Sequence, residues 1–367
     1  MQKIIKLLFL FIGISTFSQK KKETNTFLQI DYFYGNILRH NKNVGHFLVN
    51  HPTGYTLSWN KKTRGERAWE SRYNYPDFGM SMAYQNYNSP ILGKLYSLYG
   101  HYNFYLLPRK SKDQIVLRAG WGIAYNTNPY DKVTNPKNVA FGTHLNSSTY
   151  FKLYYKRENI IDKLGVNAGL IFIHASNSSV KSPNTGVNIW AATLGVNYNI
   201  EDNKTVTYIA STENKKYKEQ IKYNVVFRFG ANESDFIGSG VKPFFVLSAY
   251  ADKRLNRKSA LQFGADYYVS YMLKDYIAIK EAVDSNYQGG DFKRAGVFIG
   301  HELLLNKISM IFQVGYYVYY PVEFEGRLYE RLGLKYYFSD KWFASVSLKA
   351  HAAKAETVAF GVGIRFN

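Results

Sequence analysis

The chain has 367 residues, and its composition narrows its class at once. It contains no cysteine, which excludes a disulfide framework, a zinc–thiolate site and a thiol nucleophile. Hydrophobic residues make up 46% of the chain and charged residues 20%, with only 9 prolines, so a disordered or low-complexity protein is excluded as well. Aromatic residues reach 17%, more than a soluble core needs, and the formal net charge of +20 favours an anionic partner.

The N-terminus has the features of a secretory signal peptide. Lys3 and Lys6 precede an unbroken apolar run, and the small residues Thr16 and Ser18 stand at positions −3 and −1 of a cleavage site. The apolar run is too short to span a membrane. We therefore predict that residues 1–18 are removed and that the mature chain is exported. Its basic residues would then face an anionic membrane surface rather than a nucleic acid.

Segments with alternating apolar and polar side chains follow along the rest of the chain. No stretch approaches the roughly 20 continuous apolar residues of a transmembrane helix. Without such a helix, a membrane protein spans the bilayer as a closed β-barrel, in which backbone groups form hydrogen bonds between strands. Strands with one oily face and one polar face are typical of these barrels. In the N-terminal half they recur near 26–35, 54–60, 76–86, 93–107, 114–126, 143–157, 163–176 and 187–200.

The last hairpin of this half carries polar residues on an oily face. Counting by two along 163–176 places His174 and Ser176 on the apolar, lipid-facing side of the strand. Folding the hairpin about the loop 177–186 places His174 opposite Asn188, and facing residues of a strand pair have Cβ atoms about 4.5–5.5 Å apart. Ser176, His174 and Asn188 can then act as nucleophile, base and orienting group for ester hydrolysis. A structural or solvated role is the alternative, although polar groups on an apolar face are costly unless they are partnered.

These residues resemble a motif of the lipid A 3-O-deacylases of the PagL type, also known as acyloxyacyl hydrolases. That family has a strand ending in His-x-Ser-Asn, a short loop with Pro-Asn-x-Gly, and an acidic residue on the next strand. This chain has His-Ala-Ser-Asn at 174–177 and Pro-Asn-Thr-Gly at 183–186. Gly-Thr-His-Leu at 142–145 is similar to the family's Gly-x-His-Leu stretch. The likeness covers residues 26–200.

The resemblance implies an outer-membrane serine esterase that removes an ester-linked acyl chain from lipid A without a cofactor or a metal. It implies that His174 is the general base and Ser176 the nucleophile, with Asn177 and Asn184 as candidates for the oxyanion hole. The acid position of the family falls on Asn188. An amide can orient a histidine but does not stabilise an imidazolium as a carboxylate does, so this departure predicts a slow or inactive enzyme.

A polar stretch at 201–220 separates this half from a second set of alternating segments. The pattern is clearest at 328–338, 342–351 and 356–366, where apolar residues occupy every second position. Further runs occur at 221–230, 241–252, 259–274, 292–304 and 307–320.

Both halves together give roughly sixteen candidate strands, some of which we expect to be loops. We therefore predict an all-β, transmembrane antiparallel β-barrel of about 12–14 strands, an even number as in bacterial single-chain barrels. Members of the PagL family form eight-stranded barrels, which the half at 19–200 resembles. The residues 201–367 are then expected to complete or extend that barrel, with a second unit as the other option.

Several basic residues are candidates for binding the phosphates of lipid A through charge-assisted hydrogen bonds: Lys181 beside the site, and Lys152 and Lys156 on the preceding hairpin. Near the C-terminus, Lys349 and His351 are expected to line the lumen.

The predicted partner is lipopolysaccharide in the outer leaflet of a Gram-negative outer membrane, and a homodimer is left open. The alternative function is a non-enzymatic channel or scaffold that keeps a relic of the site. A third option is a soluble secreted sandwich.

Overall fold

The computed structural model describes residues 25–40, 44–45, 50–200, 207–212, 217–352 and 354–367. The predicted signal peptide lies outside these residues. Sixteen strands of the described chain form two closed antiparallel barrels of eight strands each. No helix in the described ranges is both long and apolar enough to cross a membrane.

The first barrel closes on itself before the polar stretch at 201–220 begins. Each strand pairs with its neighbours in sequence, and the eighth strand returns to pair with the first, with Phe27 opposite Asn199. A short helix, α1 (Ala68–Arg72), lies between the second and third strands. The strands are β1 (Thr26–Ile37), β2 (Thr53–Lys61), β3 (Asp77–Asn86), β4 (Lys94–Tyr105), β5 (Asp113–Asn126), β6 (Leu145–Ile161), β7 (Leu164–Ser176) and β8 (Val187–Asn199).

The second barrel repeats this arrangement with the remaining strands. Its last strand pairs with its first, with Phe366 opposite Tyr223. A longer helix, α2 (Tyr271–Val283), follows β11. The strands are β9 (Lys222–Asn232), β10 (Lys242–Arg254), β11 (Ser259–Ser270), β12 (Lys293–Leu305), β13 (Ile308–Tyr319), β14 (Leu328–Tyr337), β15 (Trp342–His351) and β16 (Lys354–Phe366).

The predicted all-β fold of antiparallel β-barrel strands is confirmed, whereas the predicted count of about 12–14 strands in one barrel is wrong. All sixteen alternating runs are strands, and those after residue 220 form a second unit instead of extending the first. The physical reason is closure: once β8 pairs with β1, and β16 with β9, neither half has an unpaired edge to which a strand of the other could add.

Side chains alternate between the outer wall and the interior of each barrel as the sequence predicts. On β1, Leu28 and Ile30 point outward and are exposed, whereas Gln29 and Asp31 between them are buried inside. Barrel strands in a membrane place apolar residues toward the lipid in this way. The outer wall is thus oily and the interior polar.

The interior of the first barrel is filled by hydrogen-bonded side chains. Arg118 is fully buried and donates from Nε to Asn103 at 2.6 Å, from Nη1 to Ser58 at 2.9 Å and from Nη2 to Gln29 at 2.9 Å. Toward one end of the barrel the polar network gives way to a buried apolar cluster that includes Phe33, Val44, Tyr87, Leu95, Phe141 and Ile173. A lumen packed in this way leaves little room for a water-filled path.

The second barrel has a comparable charged core. Arg331 pairs with Asp266 at 2.8 Å and Lys335 with Glu302 at 2.9 Å, all of them buried. A third cluster surrounds Glu356, whose carboxylate binds Arg294, Lys349 at 2.8 Å and His351 at 2.7 Å. The predicted inward orientation of Lys349 and His351 is confirmed.

Replacing Arg118 by alanine is expected to destabilise the first barrel by about 3 kcal/mol, because it leaves several buried acceptors without a donor. The matched control is Arg157→Ala: Arg157 is exposed on β6 and pairs with the exposed Asp113 at 3.0 Å, so its loss should change stability little. The measurement is the free energy of unfolding in urea, in the same lipid or detergent. Equal stabilities of the two variants would contradict the role given to Arg118.

Hydrogen bonds join the two barrels at both of their ends. We call the end with the loops 87–93, 127–144 and 177–186 the site end, and the end where β1 begins and β16 finishes the terminal end. At the terminal end, the Tyr73 hydroxyl donates to the Leu304 carbonyl at 2.8 Å, and Arg72 Nη1 donates to the Arg257 carbonyl at 3.1 Å.

Candidate active site

The three predicted site residues come together on the outer wall of the first barrel, at the site end of β7 and β8. The strand register places His174 directly opposite Asn188, as hairpin folding predicts, and Ser176 follows two residues later on the same face. Toward the middle of the wall the same face continues with the exposed apolar side chains of Leu170, Trp190 and Leu194. The side chains of Ser176, His174 and Asn188 therefore lie at the site end of an apolar strip on the outer wall.

Both ring nitrogens of His174 have partners. Its Nδ1 lies 2.6 Å from Oδ1 of Asn188, and its Nε2 lies 3.3 Å from Oγ of Ser176. Because the Asn188 oxygen can only accept, Nδ1 carries the proton, and Nε2 is left with a free lone pair toward the serine hydroxyl. Ser176 itself is buried, and His174 is half-buried. This is the arrangement in which a histidine can take a proton from a serine.

The loop after β7 folds back over Ser176. The backbone N–H of Ser178 donates to Oγ of Ser176 at 3.2 Å, and both Ser178 and Ser179 have positive φ angles, of 57° and 62°. Non-glycine residues seldom adopt this left-handed conformation, which tends to occur at functional sites. Ser178 was not identified from the sequence, since a backbone donor leaves no signal in residue type.

The two predicted oxyanion-hole residues hold this loop together. Asn177 donates from its backbone N–H to Oδ1 of Asn184 at 2.8 Å, and from Nδ2 to the carbonyl of Lys181 at 2.7 Å. The side-chain nitrogen of Asn184 makes no hydrogen bond within the described part of the chain. Asn184 thus keeps a free donor near the site, whereas the amide of Asn177 is already engaged in the loop.

Two glycines of the motifs stand where no side chain fits. Gly186 has φ of 68°, and a Cβ atom on it would lie 3.0 Å from Cβ of Ser176 and 3.3 Å from Cε1 of His174. A Cβ atom on Gly142 would lie 2.6 Å from the carbonyl oxygen of Lys181. Both positions bring backbone close to the site, which only glycine permits.

The loop 127–144 supports the site from the side of the first barrel. The backbone N–H groups of Thr185 and Gly186 donate to the carbonyls of Val139 at 3.0 Å and Ala140 at 3.1 Å. In addition, Nε2 of His40 lies 2.9 Å from the carbonyl oxygen of Thr185. His40 was not assigned to the site from the sequence, because it lies in a loop far away along the chain and in no recognisable motif.

The predicted phosphate-binding lysines divide into two groups. Lys181 is exposed at the site end, on the loop beside Ser176. Lys152 and Lys156 are buried inside the barrel, where Lys152 pairs with Asp31 at 2.9 Å and Lys156 with Glu158 at 2.7 Å. The prediction that these two lysines contact lipid A is wrong, since their positions on β6 face inward. Within the described ranges, no cluster of three or more potential ligands could hold a metal ion.

Two family models match the chain, one on each barrel. The model described as lipid A 3-O-deacylase (PagL) matches residues 53–197, and the model described as the C-terminal domain of acyloxyacyl hydrolase matches residues 221–367. Together they cover most of the sequence. No curated protein sequence matches the chain at a significant level.

Solved structures with some similarity include an outer membrane protein and a porin. Omp33 of Acinetobacter baumannii has 7% identity, with 94% of this chain and 98% of that chain covered and a TM-score of 0.18. A mutant of the Rh. blastica porin has 8% identity, with 93% and 98% covered and a TM-score of 0.17. CdiB of Acinetobacter baumannii has 10% identity, with 94% and 60% covered and a TM-score of 0.20. TM-scores this low do not establish a common arrangement of strands.

The two family models are therefore the comparisons that identify the chain. The match on the first barrel contains the motif residues 174–177 and 183–186, and the match on the second begins where that barrel begins. The family and the barrel architecture together point to the outer membrane, whereas a homodimer has no support in the comparisons. The chain belongs to the PagL family of lipid A 3-O-deacylases, with the acyloxyacyl hydrolase C-terminal domain as its second barrel.

Proposed function

We propose that the protein is an outer-membrane serine esterase that removes an ester-linked acyl chain from lipid A. The observation that carries this proposal is the line of contacts from Ser176 Oγ to His174 Nε2 at 3.3 Å and from His174 Nδ1 to Asn188 at 2.6 Å. These contacts lie on the outer, lipid-facing wall of the first barrel and not in its interior.

In the first step, His174 Nε2 takes the proton of Ser176 while Oγ attacks the ester carbonyl, and Asn188 holds the imidazole by its Nδ1 proton. The oxyanion that forms needs donors close to Oγ. The backbone N–H of Ser178 and the free amide nitrogen of Asn184 are the candidates, and one such donor is worth roughly 3 kcal/mol. Asn177 contributes by fixing the loop.

The tetrahedral intermediate then collapses as His174 returns the proton to the sugar oxygen, which breaks the ester bond and leaves the acyl group on Ser176. Water completes the cycle: His174 deprotonates it and its oxygen attacks the acyl carbon. The bond from that carbon to Oγ of Ser176 then breaks, His174 returns the proton to Oγ, and the fatty acid is released. Every proton passes through His174, so the reaction needs no cofactor.

The wall below the site suits the substrate. The exposed side chains of Leu170, Trp190 and Leu194 offer an apolar surface along which acyl chains can lie within the bilayer. Lys181, exposed on the loop above, can pair with a phosphate of the lipid A headgroup. The ester would then lie between these two regions, at the level of Ser176.

The test is to express the full chain in an outer membrane and to measure the mass of extracted lipid A. Loss of one hydroxyacyl unit is expected. Unchanged lipid A in the presence of correctly folded protein would contradict the proposal.

The channel alternative is not favoured, because the interior of each barrel is packed with buried side chains, among them Arg118 and Arg331. We expect the protein to give no stable conductance steps in planar bilayers. A porin of known conductance in the same bilayer is the positive control. Reproducible single-channel steps would favour the channel.

A further inference from the structure

We infer that the second barrel positions the catalytic loop of the first, and that Glu233 is its main positioning residue. This inference deepens the proposed function, since it concerns the loop that carries the donors around Ser176. It assigns the C-terminal domain a role in the reaction although none of its residues lies in the line from Ser176 to Asn188.

Four hydrogen bonds join the loop 177–186 to the second barrel at the site end. The backbone N–H of Ser182 donates to Oε2 of Glu233 at 2.8 Å, and the Ser182 hydroxyl donates to the carbonyl of Ser234 at 2.6 Å. Ser179 donates from Oγ to the carbonyl of Ala355 at 2.6 Å and accepts at its carbonyl from the backbone N–H of Glu233 at 3.1 Å. The loop is thus held at two points, three residues apart.

Both anchors are themselves fixed within the second barrel. Glu233 is buried, and its second carboxylate oxygen accepts from the backbone N–H of Gly240 at 2.8 Å. Ala355 precedes Glu356, whose buried carboxylate binds Lys349 and His351. A carboxylate that accepts backbone N–H groups forms stronger hydrogen bonds than a neutral acceptor.

The anchored residues lie close in sequence to the two donors proposed for the oxyanion, Ser178 and Asn184. Ser179 follows Ser178, whose N–H reaches Ser176. Ser182 lies two residues before Asn184, the residue with the free amide nitrogen. Losing either anchor would let these donors shift, and a displacement of about 1 Å in a catalytic group can cost about a hundredfold in rate.

A simpler role for the same contacts is adhesion between the barrels, and the chain offers two controls for it. Asp235 lies in the same loop as Glu233, is exposed and pairs with Lys354 of its own barrel, so Asp235→Asn removes the same charge without touching the first barrel. Tyr73→Phe removes an inter-barrel hydrogen bond at the terminal end, far from the site.

The experiment compares full-length wild type, Glu233→Ala, Glu233→Gln, Asp235→Asn and Tyr73→Phe. Lipid A deacylation in detergent gives kcat and KM, thermal unfolding gives stability, and hydrogen exchange reports on the peptide 177–186. We expect Glu233→Ala to lower kcat by about ten- to a hundredfold with KM unchanged, and to speed exchange in that peptide. Glu233→Gln keeps one acceptor oxygen and should recover part of the loss, and both controls should resemble wild type.

The inference is overturned if Glu233→Ala matches Asp235→Asn in kcat, or if exchange in 177–186 does not change. If Glu233→Ala unfolds at a lower temperature than wild type, Ser179→Ala replaces it in the test, because this variant deletes only a single hydroxyl contact. The two deciding measurements remain kcat and hydrogen exchange in the peptide 177–186. A wild-type protein that leaves lipid A intact refutes the proposed function, while the exchange measurement still tests the anchoring of the loop.

Discussion

Replacing Ser176 by alanine is expected to lower the rate of lipid A deacylation by at least about 10³-fold, because the variant has no oxygen to attack the ester. The substitution removes one buried hydroxyl and should leave the barrel folded. The rate is measured as fatty acid released per unit time and as the mass of the remaining lipid A.

Ser147→Ala is the matched control for this variant. Ser147 lies directly opposite Ser176 on β6, and its hydroxyl accepts from Nε1 of Trp121 at 3.0 Å instead of contacting His174. It should keep nearly full activity, whereas His174→Ala should be as inactive as Ser176→Ala, since the two residues act as a unit. If Ser176→Ala and Ser147→Ala were equally active, Ser176 would not be the nucleophile.

Replacing Asn188 by aspartate is expected to raise kcat by about ten- to a hundredfold. Aspartate has the size of asparagine and can keep the 2.6 Å contact to Nδ1 of His174. It adds a negative charge beside the imidazolium that forms as Ser176 loses its proton, and an opposite charge at this distance favours the charged ring.

Asn188→Leu is the converse variant. It removes the acceptor that fixes the Nδ1 proton, so it should lower kcat by about a hundredfold. Both variants are measured by the same fatty-acid assay. A gain with leucine, or a loss with aspartate, would show that His174 is oriented by another group.

Local features of the fold could be predicted from the sequence. The strand at 342–351 was predicted with the bounds that the structure shows, and the pairing of His174 with Asn188 follows from counting by two on either side of one loop. Both depend only on neighbouring residues, because successive side chains of a strand point to opposite faces.

Features that depend on distant contacts could not be predicted in this way. Alternation does not say whether β8 pairs with β1 or with β9, so the number of barrels was wrong although the number of strand-like runs was right. Glu233 and His40 lie in loops far along the chain from the loop 177–186 that they contact. For Lys152 and Lys156 the reason is different: charge alone does not show that their positions on β6 face inward.

The position of His174 and Ser176 on the outer wall has a consequence for enzyme kinetics. A substrate that stays in its leaflet meets the enzyme by lateral diffusion, so the collision frequency depends on the mole fraction of lipid A in the membrane rather than on its bulk concentration. Diluting lipid A with an inert phospholipid at constant total lipid should therefore slow the reaction. Adding more vesicles of unchanged composition should not speed it.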